Sequence, residues 1–273
     1  MISVTIIIPA YNEQKHIAKC LHSLLQQTVT CEIIVVDDGS TDRTVEIARS
    51  FPAVKLLRQQ HQGQGNARNL GARHATGEML VFCDADQEFD SRYVENLVAP
   101  ILAGTAVGTY SREEFIANYD NIWARCYNID AEIYTNKRHP TDIPMESPVF
   151  RAIPRALFLR VGGYEDVGYG EDHTISEKAR ILAQPAPNAV CYHHNPDTLS
   201  EVFGQACWYG KGQQVGKGWK MMLWCMPPVA MVGSLRRAVR TRTLAFVIYT
   251  VVYRLGVLAG IISWHLSGGR HTR

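Results

Sequence analysis

The feature that most constrains this chain is an alternation in its first third. Short β-branched runs are followed by stretches of helical period, and the runs end on polar residues. Residues 4–8 form such a run, and Pro9 predicts its end. Residues 13–27 then place Ile17, Cys20, Leu21, Leu24 and Leu25 on one helical face. Residues 32–36 read as a second strand, 41–50 as a helix, 54–57 as a third strand, 65–75 as a helix and 79–83 as a fourth strand. This alternation predicts an α/β fold built on a doubly wound, mostly parallel sheet. Ligands of such sheets bind beyond the carboxyl ends of the strands. Three polar clusters fall there: residues 9–13, 37–40 and 84–86.

The third cluster, Asp84-Ala85-Asp86, directly follows an apolar strand. Two carboxylates separated by one small residue can share a divalent cation, and Mg²⁺ and Mn²⁺ favour such oxygen ligands. That cation can also hold the two phosphates of a nucleotide diphosphate and neutralise the charge that develops when it leaves. Upstream, Gly65 permits close backbone approach, and Arg68 together with a helix start favours an anion. Asp37 and Asp38 are placed to accept hydrogen bonds from a base or ribose; the alternative is a helix start capped by Ser40 or Thr41. Tyr11 can pack on a base.

In order and spacing, the series Pro9-Ala10-Tyr11-Asn12-Glu13, Asp37-Asp38-Gly39-Ser40, Gly65-Asn66-Ala67-Arg68-Asn69 and Asp84-Ala85-Asp86 resembles a family-2 glycosyltransferase of GT-A fold. The resemblance covers about residues 1–212, the expected catalytic domain. It implies inverting transfer of a sugar from a nucleotide-diphosphate sugar, aided by Mg²⁺ or Mn²⁺. By the same resemblance Pro9, Ala10, Tyr11, Glu13, Asp37 and Asp38 hold the nucleoside, and Asp84, Ala85 and Asp86 lie at the metal and diphosphate. Gly162-Gly163-Tyr164 followed by Gly170-Glu171-Asp172 is similar to the acceptor side of that family. Inversion needs a base opposite the leaving group. Asp172 matches that base, with Glu171 as the alternative and a helix cap as the plain structural reading. Ile175 fills the apolar position that follows.

Tyr192-His193-His194 offers imidazoles to a site whose other ligands are oxygens. His193 matches the family position of a metal ligand better than His194. Gln205 is followed by Trp208 without the arginine of processive relatives, which favours single-sugar transfer. The Gly210-Lys211 segment resembles a membrane-associated branch in which a basic residue lies near the donor diphosphate.

The net charge of +2 conceals an asymmetry. Ten of the 28 basic residues follow Glu201, and none of the 26 acidic ones does. With its apolar content, this tail (213–273) reads as membrane-associated rather than nucleic-acid-binding. Residues 221–233 are too short to cross a bilayer and carry Pro227-Pro228, so they read as interfacial or re-entrant. Residues 244–264 are long enough to span. Arg254 costs that span roughly 2.5–3.5 kcal/mol, against about 3–7 kcal/mol returned by its Leu, Ile, Val and Phe residues. Spanning and lying in the interface both remain open, as does a soluble helix pair. Gly256 and Gly260 have the spacing of a close helix contact.

The expected acceptor is a lipid-linked or envelope glycan at the cytoplasmic face of the membrane. A polyprenyl-phosphate sugar synthase and an inactive nucleotide-sugar-binding subunit are the alternatives. Residues 1–10 lack a basic start and a cleavage site and read as a strand rather than a signal peptide. The seven scattered cysteines read as free thiols. Residues 113–134 have helical spacing that carries Phe115, Tyr119, Trp123 and Tyr127, and Pro140, Pro144 and Pro148 predict a loop.

Overall fold

Three apolar runs, residues 4–10, 31–37 and 79–82, lie side by side in one sheet with most of their residues buried on both faces. A computed structural model describes residues 2–138, 145–167, 170–211 and 223–266. These group into two units, 1–115 with 141–193, and 116–140 with 194–273.

The first unit holds an eight-stranded sheet. Its strands are β1 (Val4–Ala10), β2 (Cys31–Asp37), β3 (Val54–Arg58), β4 (Met79–Phe82), β5 (Gln87–Phe89), β6 (Thr109–Ile116), β7 (Ala152–Pro154) and β8 (Gln184–His193). The spatial order is β3-β2-β1-β4-β7-β6-β8-β5. Strands β3, β2, β1 and β4 run parallel as expected, whereas β7 is antiparallel to β4 and to β6, and β5 is antiparallel to β8. Between them run α1 (Ile17–Leu25), α2 (Thr44–Arg49), α3 (Gln64–His74), α4 (Tyr93–Leu102), α6 (Arg155–Arg160) and α7 (Thr174–Ala179). One core layer joins Ile6, Ile8, Leu21, Val35 and Val94; the other joins Ile7, Val36, Leu80, Phe82 and Phe158. Gly71 is needed beneath α3, because a Cβ there would come within 2.5 Å of Ile7 Cγ2.

Strand β1 passes through Pro9 instead of stopping at it. Its register with β4 ends at Ile7, opposite Phe82, so Pro9 lies where only β2 continues beside it. Helix α1 is shorter than expected, because residues 14–16 form turns.

The second unit holds α5 (Ile122–Asp130), α8 (Leu199–Gly210), α9 (Pro227–Thr241) and α10 (Ala245–Leu266). The helix expected over 113–134 is confined to α5. Glu113 to Ile116 belong to β6, and Asn121 starts the helix by accepting from Trp123 N (2.8 Å) and Ala124 N (3.2 Å). Pro227 and Pro228 occupy the first turn of α9, where their missing N–H groups cost nothing, so they begin a helix instead of interrupting one. Residues 140, 144 and 212–222 lie outside the described residues. All seven cysteines are free thiols.

Candidate active site

The carboxyl ends of β1, β2 and β4 bring the three polar clusters together, as the sheet topology requires. At the β1 end, Ala10 is buried and Tyr11 is exposed, with its ring stacked on His61 at 3.9 Å. Asn12 takes a positive φ of 57° and donates its N–H to Ser40 Oγ. Glu13 N donates to Thr44 Oγ1 at 2.7 Å, which ties the segment to α2.

Asp37 and Asp38 were expected to face a base or ribose, but both are buried and engaged by the protein. Asp37 meets Arg58 Nε at 3.2 Å and accepts from Ser40 N. Asp38 accepts from Gln59 Nε2, Gln62 N and Gly63 N, and meets His61 Nδ1 at 2.8 Å. These bonds shape the 59–63 loop, and the exposed surface they present is the Tyr11–His61 stack. Ser40 and Thr41 do not cap α2; Asp42 Oδ1 accepts from Thr44 N at its start.

The glycine-containing helix start meets other parts of the protein. A Cβ on Gly65 would stand 3.2 Å from Glu171 Cγ and 3.3 Å from Tyr164 Cβ, so Gly65 admits close approach of the 164–171 segment. The anions that Arg68 meets are carboxylates. Its Nη2 lies 2.8 Å from Asp84 Oδ1 and its Nη1 lies 2.8 Å from Glu171 Oε1, with the guanidinium over the Tyr164 ring. Arg151, which the sequence reading missed, reaches Asp84 Oδ2 at 2.9 Å. A charged residue inside the apolar run Pro148-Val149-Phe150-Arg151-Ala152-Ile153 was the available signal.

Asp84 therefore has a guanidinium on each oxygen. Burial would raise its carboxyl, yet Arg151 and Arg68, with His193 behind them, hold it down at about 2. Arg68 and Arg151 are thus the cations that stand beside Asp84 in this structure. Ala85 turns into the core. Asp86 faces His193 instead, with Oδ2 3.4 Å from Nε2. The β5–β8 register pairs Gln87 with His193 and so brings the imidazole to the Asp84–Asp86 turn. On the other side of the ring, Nδ1 stands 3.6 Å from Glu114 Oε1, within ion-pair reach but beyond a hydrogen bond.

Among the described residues no group of three or more His, Cys, Asp or Glu side chains forms a metal cage. Asp86 and His193 offer one oxygen and one nitrogen, a donor set that suits Mn²⁺ or Mg²⁺ whose remaining ligands are phosphate oxygens and water. His194 begins the second unit, and Lys211 closes α8 there as its C-terminal cap.

Glu171 and Asp172 open a single 3-10 turn before α7. Glu171, the alternative base, is buried against Arg68. Burial raises its carboxyl above the usual range, Arg68 pulls it part of the way back, and Asp172 adds to the rise. Asp172 keeps about a third of its side chain exposed (35%) and meets His173 Nε2 at 3.8 Å. Ile175 beneath is fully buried.

Residues 5–162 match the model of glycosyl transferase family 2, more than half of the chain. The chain belongs to glycosyl transferase family 2. It is 30% identical to glycosyltransferase AglE of Haloferax volcanii over 300 aligned positions that cover 96% of both proteins. It spans smaller shares of other relatives: 16% of GlyA of Streptococcus pneumoniae and 30% of the uncharacterized glycosyltransferase YibD of Escherichia coli. Among solved structures it is similar to Staphylococcus aureus TarS 1–349 in complex with UDP-GlcNAc (TM-score 0.58, 14% identity, covering 98% of this chain and 93% of that one). It is also similar to the mannosyltransferase PcManGT of Pyrobaculum calidifontis in complex with GDP-Man and Mn²⁺ (TM-score 0.56, 23% identity, 98% and 79%). The mixed sheet is thus the expected GT-A fold, and the enzyme is a glycosyltransferase.

Proposed function

We propose that this family-2 glycosyltransferase moves one sugar, with inversion, from a nucleotide-diphosphate sugar to a lipid-linked or envelope glycan acceptor. The observation that carries the reading is the ionic chain Glu171–Arg68–Asp84–Arg151. It fastens the segment bearing Asp172 to the turn bearing Asp86.

On this reading the Tyr11–His61 stack receives the nucleoside base, and the segment from Pro9 to Glu13 frames it. Asp86 and His193 hold Mg²⁺ or Mn²⁺, which when bound neutralises charge on the departing diphosphate. Asp172 takes the proton of the acceptor hydroxyl as that oxygen attacks the anomeric carbon from the opposite face. Lys211 is assigned to the donor phosphates, and the basic tail to the cytoplasmic face of a membrane. The structures in complex with UDP-GlcNAc and with GDP-Man and Mn²⁺ support the donor class and the metal. The missing arginine between Gln205 and Trp208 supports single-sugar transfer.

The test is a transfer assay with Mn²⁺ against a panel of nucleotide sugars, preceded by a thermal-shift screen, because a bound donor stabilises the fold by mass action. Donor binding without transfer to any glycan or lipid acceptor would point to a binding subunit. Transfer to a polyprenyl phosphate, undiminished in Asp172→Asn, would point to the synthase reading, since an ionised phosphate needs no base.

A further inference from the structure

Helix α10 is long and apolar enough to cross a bilayer, at about 33 Å for its 22 residues. We infer that it lies in the plane of an anionic membrane surface and that, with α9, it forms the docking face for that surface. The inference rests on the membrane assignment above and deepens it.

The packing of α10 argues against a crossing. Its first half buries Phe246 and Tyr249 in one cluster with Cys126 and Ile129 of α5. Its second half buries Val257 and Ile261 with Ala206 of α8. The contact with α8 is a backbone approach: a Cβ on Gly256 would stand 2.6 Å from Phe203 O, and one on Gly260 would stand 2.1 Å from Cys207 O. Small residues at this spacing let two helices lock together. Both partners also carry charged residues. Helix α5 carries Asp130, which with Glu132 beyond it meets Arg237, and α8 carries Glu201 and Gln205. A crossing α10 would pull both helices, charges included, into hydrocarbon. Arg254 is engaged by the protein: its Nη1 donates to Trp224 O at 2.8 Å, and its guanidinium lies 4.0 Å over the Trp224 ring.

Neither is α10 the core helix of a soluble domain. Leu244 just before it, then Ile248, Leu255, Ile262 and Leu266, are all exposed, Leu244 at 75% and Leu266 at 84%. Their spacings of four, seven, seven and four place them on a single face that runs the length of the helix. Helix α9 shows a matching division. Ser234 and Ala238 are buried; Met231, Leu235, Val239 and Val232 form an exposed apolar arc; Arg236 and Arg240 flank that arc. An exposed apolar arc edged by arginines, in a tail with no acidic residue after Glu201, is the pattern of a helix seated at an anionic headgroup layer. The charge selects lipid over a second copy of this basic tail.

The experiment uses the full chain, without donor or acceptor, and sealed vesicles of phosphatidylcholine with or without phosphatidylglycerol. The expected result is co-sedimentation with the anionic vesicles. Ile248→Glu with Ile262→Glu, and separately Arg236→Gln with Arg240→Gln, each lower the bound fraction by roughly tenfold or more with the melting temperature kept. A C-terminal peptide tag is cleaved by protease added on the side that holds the first unit. Protection of the tag while that unit is digested would show a crossing and overturn the inference. A lipid-free dimer abolished by the two glutamates, with vesicle binding absent, would show that a second copy covers the face. Because no donor is present, either failure leaves the sugar-transfer reading standing.

Discussion

Arg68 Nη1 stands 2.8 Å from Glu171 Oε1, 103 residues away in sequence, while the same guanidinium holds Asp84. One buried cation thus joins the turn that presents Asp86 to the segment that presents Asp172. An arginine suits this position because its fork offers separate donors to two carboxylates, which an ammonium cannot do in that geometry.

Replacing Arg68 by Ala leaves Glu171 buried without its cation and should destabilise the fold by about 3–5 kcal/mol in urea melts. Arg68→Lys, which keeps the charge but not the fork, should recover only part of that stability. It should still lower kcat more than it raises the KM for donor, because the base loses its placement rather than the donor its contacts. Equal changes in both parameters would remove the positioning role.

Asp172→Asn should reduce transfer to a hydroxyl acceptor by roughly 10²–10⁴-fold, the usual weight of general base catalysis. Donor affinity, read by calorimetry, should stay within a few-fold. Full transfer activity in this variant would mean that another group takes the proton.

Asp86 and His193 should show themselves in metal titrations. Asp86→Asn and His193→Ala should each raise the Mn²⁺ concentration for half-maximal rate by roughly tenfold or more. An unchanged Mn²⁺ requirement in His193→Ala would exclude the imidazole from the metal.

Glu171 should leave a mark on stability against pH. Its folded value lies above the ordinary 4.5, with burial as the leading cause. The folded protein therefore keeps this proton when the unfolded chain has released it. That contribution is fully present below 4.5 and is lost as pH rises through the raised folded value. Melting at a series of pH values should show this decline in the wild type and a flatter curve in Glu171→Gln.

The helix contact in the second unit offers a matched pair. Gly260→Ala sets a methyl group against the Cys207 carbonyl and should cost about 1–3 kcal/mol. Gly204→Ala, also on a described helix but with open space around its Cβ, should be neutral or stabilise by up to about 1 kcal/mol. Thermal melts of the two variants decide the comparison.

The sequence by itself determined the parallel half of the sheet, the order of the motifs and the family. Those features are written locally, in β-branched runs, helical spacing and the polar residues that end each strand. It also placed Asp86, Asp172 and His193 as candidates, because their types and positions suit metal and base chemistry. The partners of Asp37, Asp38, Gly65, Arg68 and Asp84 within the protein were decided by tertiary structure. A carboxylate or guanidinium serves a ligand or the protein according to what lies across from it, and those partners come from distant segments: Asp84 is matched by Arg151 and Arg68, and Asp38 by the 59–63 loop. The setting of α10 was decided in the same way. Composition shows that the helix can cross a bilayer; the glycine contacts with α8 and the outward row from Leu244 to Leu266 show which of its faces the protein already covers.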